Sequence, residues 1–165
     1  MTTKNNKVYS DKQEKLVASY LGWNLVTGSG ARPNHPGDVI SDEWLGECKT
    51  HTTEGHDIYF NFEVFQKIID EASSQFKKAV LFTDDGSQKA NHTWCIAPIE
   101  AFSLDIDSLK QHEYVDILDY INKAAFTKSR SWIEAASTNS IIILEYSEGK
   151  YASLLSLEEF KNLIG

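Results

Sequence analysis

The sequence predicts an α/β fold: one mixed sheet flanked by helices, with a C-terminal hairpin and helix. Three observations carry this expectation. The elements of the first part of the chain follow the order helix, strand, hairpin, helix, strand, an alternation from which layered α/β domains are built. Apolar residues repeat at helical spacing around Phe62–Ala72, yet run as short strand-like blocks at Ala79–Thr83 and Ser140–Tyr146. Finally, 165 residues with 41% hydrophobic and 12% aromatic content can bury one good core, so a single domain over residues 1–165 is expected.

Ser10–Leu21 reads as the first helix. Ser10 and Gln13 form a candidate capping box, Val17, Ala18 and Leu21 form an apolar stripe, and Gly22 ends the helix. Trp23–Val26 is a short strand. The stretch from Thr27 to Gly37 is too rich in Gly and Pro for regular structure. Asp38–Ile40 and Trp44–Lys49 then make a hairpin around Asp42 and Glu43. After a loop from Thr50 to Asp57, Phe62, Phe65, Ile68, Ile69 and Ala72 predict an amphipathic helix over Asn61–Ser74. Ala79–Thr83 and His92–Ala97 are strands separated by a turn at Asp84–Lys89. A third helix is expected over Tyr114–Ala125. Ser140–Tyr146 and Tyr151–Leu155 form a second hairpin, and Ser156 with Glu159 caps a final short helix.

The polar N-terminus has no apolar run behind it, and no stretch approaches the roughly 18 apolar residues that would suggest a membrane span. No membrane association and a cytoplasmic location are therefore expected. Cys48 and Cys95, the two cysteines, sit in apolar strand-like segments without CxxC spacing, which suits reduced thiols and disfavours a structural zinc site. A net charge of −8 disfavours coating nucleic acid by charge alone. It remains compatible with a site whose carboxylates are neutralised by a divalent cation.

The chemistry concentrates on the first hairpin. With its midpoint between Asp42 and Glu43, the register sets Asp38 directly opposite Glu47, their Cβ atoms roughly 5 Å apart on one face. Lys49 points to that same face and Cys48 to the other. Two facing carboxylates beside a lysine are what metal-assisted phosphodiester hydrolysis requires: oxygen ligands for a hard cation and a cationic group near the attacking water. An acid, one residue, then Lys occurs three times, at Glu47/Lys49, Glu148/Lys150 and Glu159/Lys161. Glu148 and Lys150 lie at a hairpin tip with no acid opposite. Glu159 and Lys161 lie on a helix, where a spacing of two turns the side chains about 200° apart. Only the first pair converges. Glu14, at the edge of the first helix's inward stripe, is a candidate third carboxylate. If the facing carboxylates repel one another, removing Asp38 or Glu47 should leave stability unchanged or raise it.

These residues resemble the PD-(D/E)XK nucleases, and within them the Holliday junction resolvases of archaea and phages. The resemblance covers roughly residues 10–83: the helix with Glu14, a Gly/Ser loop, Gly37-Asp38-Val39, Glu47-Cys48-Lys49, then helix and strand. It implies a restriction-endonuclease-like mixed sheet, with a catalytic core of about 10–97 and an extension of about 98–165. Catalytic roles would fall on Glu14, Asp38, Glu47 and Lys49. Mg²⁺, with Mn²⁺ able to substitute, would be held by Asp38, Glu47, the Cys48 carbonyl and Glu14. The implied partners are DNA, including four-way junctions, and a second copy of the chain in a homodimer. Ser29 and Arg32 in the loop, and Lys128 and Arg130 before Trp132, are candidate DNA contacts. Lys77 and Lys78 are further candidates for the backbone. A restriction, mismatch-nicking or homing endonuclease stays open beside the resolvase reading. So does a non-catalytic acidic protein that mimics DNA or binds a nuclease.

Overall fold

The computed structural model describes residues 3–26, 36–55, 58–111, 115–119, 125–128 and 141–165. Helix α1 (Thr3–Leu21) leads through β1 (Asn24–Leu25) to the hairpin β2 (Val39–Ile40) and β3 (Trp44–Lys49). Strand β4 (Ile58–Asn61) enters α2 (Phe62–Ser74), which is followed by β5 (Lys78–Asp84) and β6 (Thr93–Pro98). A short helix α3 (Ile106–Leu109), strands β7 (Val115–Asp119) and β8 (Ala125–Lys128), the hairpin β9 (Ile141–Ser147) and β10 (Lys150–Ser156), and α4 (Leu157–Ile164) complete the described elements.

Eight strands form one mixed sheet in the order β1-β2-β3-β5-β6-β10-β9-β7, and β4 pairs with β8 in a separate ribbon. The β3–β5 and β7–β9 pairs are parallel and the others antiparallel. The expected α/β class and mixed sheet are therefore present. Strand alternation divides the core into two layers. Leu45, Ala79, Leu81 and Ile96 meet Phe65, Ile68 and Ala72 of α2 on one face. Trp44, Cys48, Val80 and Phe82 meet Val17 and Ala18 of α1, and Leu157 and Phe160 of α4, on the other. Gly46 lies where these layers are tightest: a Cβ there would stand 2.6 Å from Phe82 and 2.8 Å from Val39.

Local chemistry explains the elements that agree with the sequence. Asn61 caps α2 by accepting the N–H groups of Glu63 and Val64 at 3.0 and 3.2 Å. Ser156 and Glu159 form the full reciprocal capping box of α4. The turn between β9 and β10 pairs Ser147 with Lys150.

Three expectations are corrected. Helix α1 begins at Thr3, so Ser10 lies inside it and is no cap; Gln13 is instead fully buried. The third helix is not formed where it can be described: Val115–Asp119 is a strand paired in parallel with β9, and Ala125 begins a strand paired with β4. Tertiary pairing outweighs the local pattern there. Residues 120–124 of that expected helix lie outside the described residues. Finally, the C-terminal hairpin continues the core sheet, because β10 hydrogen-bonds along β6. Ile142, Ile143 and Leu144 are buried in that sheet.

Candidate active site

The first hairpin has the register its sequence implies, with Val39 opposite Gly46 and Ile40 opposite Leu45. The paired register stops at Val39, and Asp38 is the residue just before it, its N–H directed at the same Gly46 that Val39 faces. Strand β2 ends there, but the ladder continues through a side chain: the buried Asp38 Oδ2 accepts the Cys48 N–H at 2.8 Å. The Asp38 N–H in turn donates to the Gly46 carbonyl at 2.8 Å, and its carbonyl accepts from Val26 N at 2.9 Å. Asp38 is thus fixed on three sides. A residue's N–H and C=O point to the same side of a strand, so the Cys48 carbonyl faces this same edge. The Cys48 thiol is buried in the α1 layer, on the opposite face from Leu45. Burial, followed by the negative charges of Asp38, Glu14 and Glu47, pushes it well above the usual thiol range. That keeps sulfur out of the chemistry and leaves the main-chain carbonyl as the donor from this residue.

Lys49 Nζ lies 3.3 Å from Glu47 Oε1, which places both on one face as the strand period requires. Burial raises the Glu47 carboxyl above its ordinary value, and the Asp38 charge raises it further, while Lys49 pulls the other way. Glu14, half-buried on α1, behaves similarly. Burial first, then Asp38, Asp11 and Glu47, lifts its carboxyl to about 7 against the pull of Lys49. Glu14, Asp38, Glu47 and Lys49 therefore share one electrostatic neighbourhood, assembled from α1 and the β2–β3 hairpin.

Sequence reasoning missed the groups that hold this neighbourhood in place. Gln13, wholly buried, donates from Nε2 to the Lys49 carbonyl at 2.6 Å. Its signal was available: Gln13 lies four residues before Val17, squarely on the buried stripe, whereas Glu14 falls at the edge. Beyond Lys49, Thr50 Oγ1 donates to the buried Asp84 Oδ1 at 2.6 Å and accepts from Gln88 Nε2 at 2.8 Å. Asp84 also accepts the Gly86 N–H at 2.9 Å. Burial raises the Asp84 carboxyl above its ordinary value, and the Thr50 hydroxyl and the Gly86 N–H offset part of that rise. Gly86, at φ +90°, packs so closely on the Thr53 carbonyl that no Cβ fits. Next to this turn, Asp85 Oδ2 lies 2.8 Å from His92 Nδ1, and Ser87 Oγ lies 3.2 Å from the same nitrogen. Both contacts fall on one ring nitrogen, so Ser87, His92 and Asp85 do not form a relay of the nucleophile-base-acid kind.

Lys77 and Lys78 do not join the cluster. Lys77 Nζ donates to the Ser41 and Asp42 carbonyls at 2.7 and 2.8 Å, and Lys78 Nζ lies 3.9 Å from Glu43 and over the Trp44 ring. Both brace the hairpin turn, at the end of β3 opposite Lys49. Ser29, Arg32 and Arg130 lie outside the described residues. Lys128 ends β8 opposite Ile58, and its side chain also lies outside the description. Glu148 and Lys150 are exposed at their hairpin tip, as expected.

Among the described residues, no group of three or more His, Cys, Asp or Glu side chains is placed so that it could hold a metal ion. Nor is any described helix long and apolar enough to cross a membrane. Comparison with family models, curated proteins and solved structures finds no match to this chain.

Proposed function

We propose that the chain is a metal-dependent DNA endonuclease with a restriction-endonuclease-like core, working through Asp38, Glu47, Glu14 and Lys49. The observation that carries the reading is the gathering of three carboxylates beside one lysine, where burial and like charge raise the carboxyls of Glu14 and Glu47. A neighbourhood with more negative charge than its one lysine can offset suits a divalent cation. The oxygen donors fit a hard ion: the Asp38 and Glu47 carboxylates, the Cys48 carbonyl at the same strand edge, and Glu14 from α1. The long side chains of Glu14 and Glu47 can swing in to complete the set.

Mg²⁺ or Mn²⁺ bound there would polarise the scissile phosphate and acidify the attacking water. Asp38, braced by its three hydrogen bonds, supplies the fixed ligand. Lys49 orients the water and stabilises charge developing on the phosphate oxygens. By the resemblance, the products would carry 5′-phosphate and 3′-hydroxyl ends. The narrower form of the reading is a cytoplasmic homodimer that resolves four-way junctions by paired nicks, since two symmetric cuts need two sites related by a twofold axis.

The test is incubation of the purified chain with four-way junction, linear duplex and single-stranded DNA, each in Mg²⁺, Mn²⁺ or EDTA. Cleavage that requires metal supports the nuclease; absence of cleavage on every substrate and metal overturns it. Sedimentation at micromolar concentration tests the dimer. A monomer that cuts duplex as fast as junctions removes the resolvase form and leaves a general nuclease.

A further inference from the structure

Two buried side chains from different elements grip consecutive residues at the end of β3. Gln13 on α1 holds the Lys49 carbonyl at 2.6 Å, and Asp84 at the end of β5 holds the Thr50 hydroxyl at 2.6 Å. Both sit on the α1 side of the sheet, because Thr50 and Asp84 continue the alternation of Cys48 and Phe82. Each grip is incomplete in the same manner: Gln13 Oε1 and Asp84 Oδ2 are wholly buried and have no hydrogen-bond partner among the described residues. A buried acceptor left unsatisfied is destabilising. Leucine or methionine would fill the Gln13 position without that cost, so packing alone gives no reason for an amide here. The hydrogen bond to Lys49 does.

We propose that Gln13 is a positioning residue, a strut that locks the Lys49–Thr50 peptide onto α1 and so sets the spacing between Glu14 and the Glu47/Lys49 pair. The inference rests on the hydrolytic reading above. Glu14 is the next residue along α1, so the bond that Gln13 makes fixes where the Glu14 backbone stands relative to β3. Lys49 carries its side chain on the face opposite the one gripped through Thr50. A peptide clamped from one side leaves that side chain free to move only about its own χ angles. The strut touches no reacting atom. It acts by placing the residues that do.

The decisive variant is Gln13→Met, which keeps the volume, removes the donor and also removes the orphaned oxygen. The lost bond and the relieved orphan oppose one another, so the melting temperature should stay close to that of wild type. Mg²⁺ affinity by calorimetry should weaken about tenfold, and kcat should fall about tenfold, with KM for DNA within about twofold. Unchanged Mg²⁺ affinity and kcat would overturn the strut, as would a loss that merely tracks melting. Should Gln13→Met fail to fold, the wild-type chain supplies the test by NMR. Titrating Mg²⁺ should move the Gln13 side-chain amide together with the Glu14 and Glu47 carboxyl resonances, and a Gln13 amide that stays fixed contradicts the proposal. If the wild-type chain neither binds Mg²⁺ nor cuts DNA, the hydrolytic reading fails by itself. The strut is then judged without metal, by whether Gln13→Met weakens the nuclear Overhauser contacts between α1 and Lys49–Thr50; their persistence would overturn it.

Discussion

Asp38 bonds to β3 through main chain and side chain together: its N–H donates to the Gly46 carbonyl at 2.8 Å, and its Oδ2 accepts the Cys48 N–H at 2.8 Å as one further rung. One carboxylate thus has a structural duty and a proposed catalytic one, and the two separate by mutation. Asp38→Ala leaves the Cys48 N–H without its partner, a loss of about 1–3 kcal/mol that outweighs the relief of repulsion with Glu14 and Glu47. Asp38→Asn keeps an acceptor and drops the charge. In metal-free buffer near neutral pH, Asp38→Ala should melt below wild type and Asp38→Asn at or above it. This revises, for Asp38→Ala, the expectation from facing charges alone, in which removing Asp38 or Glu47 leaves stability unchanged or raised. Equal melting of the two variants would contradict the side-chain rung.

Glu14 makes stability depend on pH in a defined window. Its carboxyl is raised from 4.5 to about 7 in the folded chain, so folding favours its protonated form. The resulting stabilisation is complete below the unfolded value and is lost as pH rises through the folded one. Glu14→Gln abolishes this contribution. The difference in melting temperature between wild type and Glu14→Gln should therefore move against wild type from pH 4.5 to about 7 and level off above. Mg²⁺ must displace the same proton, so its affinity should rise across that interval. A stability difference independent of pH would contradict the burial and charge crowding at Glu14.

Phe76 bears strain of another kind. It occupies the position after α2 where the chain turns left-handed, at φ 56°, with its N–H donating to the Ser73 carbonyl at 3.1 Å and the Lys77 N–H donating to the Ala72 carbonyl at 2.9 Å. Glycine is the usual occupant of this helix-ending motif. The ring is 98% exposed and packs on nothing that would repay the backbone cost. Phe76→Gly should raise stability by about 1 kcal/mol in urea unfolding. DNA cleavage should be unaffected, since α2 ends at the turn side of the hairpin, away from Lys49. A destabilised Phe76→Gly would show that the ring has a structural partner.

Much of the site is legible in the sequence because its determinants are local. A hairpin midpoint between Asp42 and Glu43 is enough to set Val39 opposite Gly46 and so bring Asp38 to the end of β3, and strand period is enough to put Lys49 beside Glu47 and Cys48 behind. Asn61, Ser156 and Glu159 announce their helices by capping chemistry that spans a single turn. The parts that escaped depend on distant partners. Val115–Asp119 is a strand because β9 offers it an edge, and Ile58–Asn61 because β8 does; neither pairing leaves a mark on its own segment. Gln13 resembles a cap when read beside Ser10; its spacing from Val17 marks it as inward-facing, but its partner, the Lys49 carbonyl, lies 36 residues away. Asp84 and Gln88 look like ordinary turn residues until Thr50 is set between them.

The central claim is that Lys49 and its facing carboxylates form a hydrolytic site, and single-turnover cleavage of DNA in Mg²⁺ tests it most directly when wild type, Glu47→Gln and Lys49→Ala are compared alongside their DNA affinities. Both variants should lose the cleavage step by orders of magnitude, with Lys49→Ala binding DNA within a few-fold of wild type because its role lies in the transition state. Near wild-type cleavage by either variant, or a loss of binding by Lys49→Ala equal to its loss of rate, would contradict it.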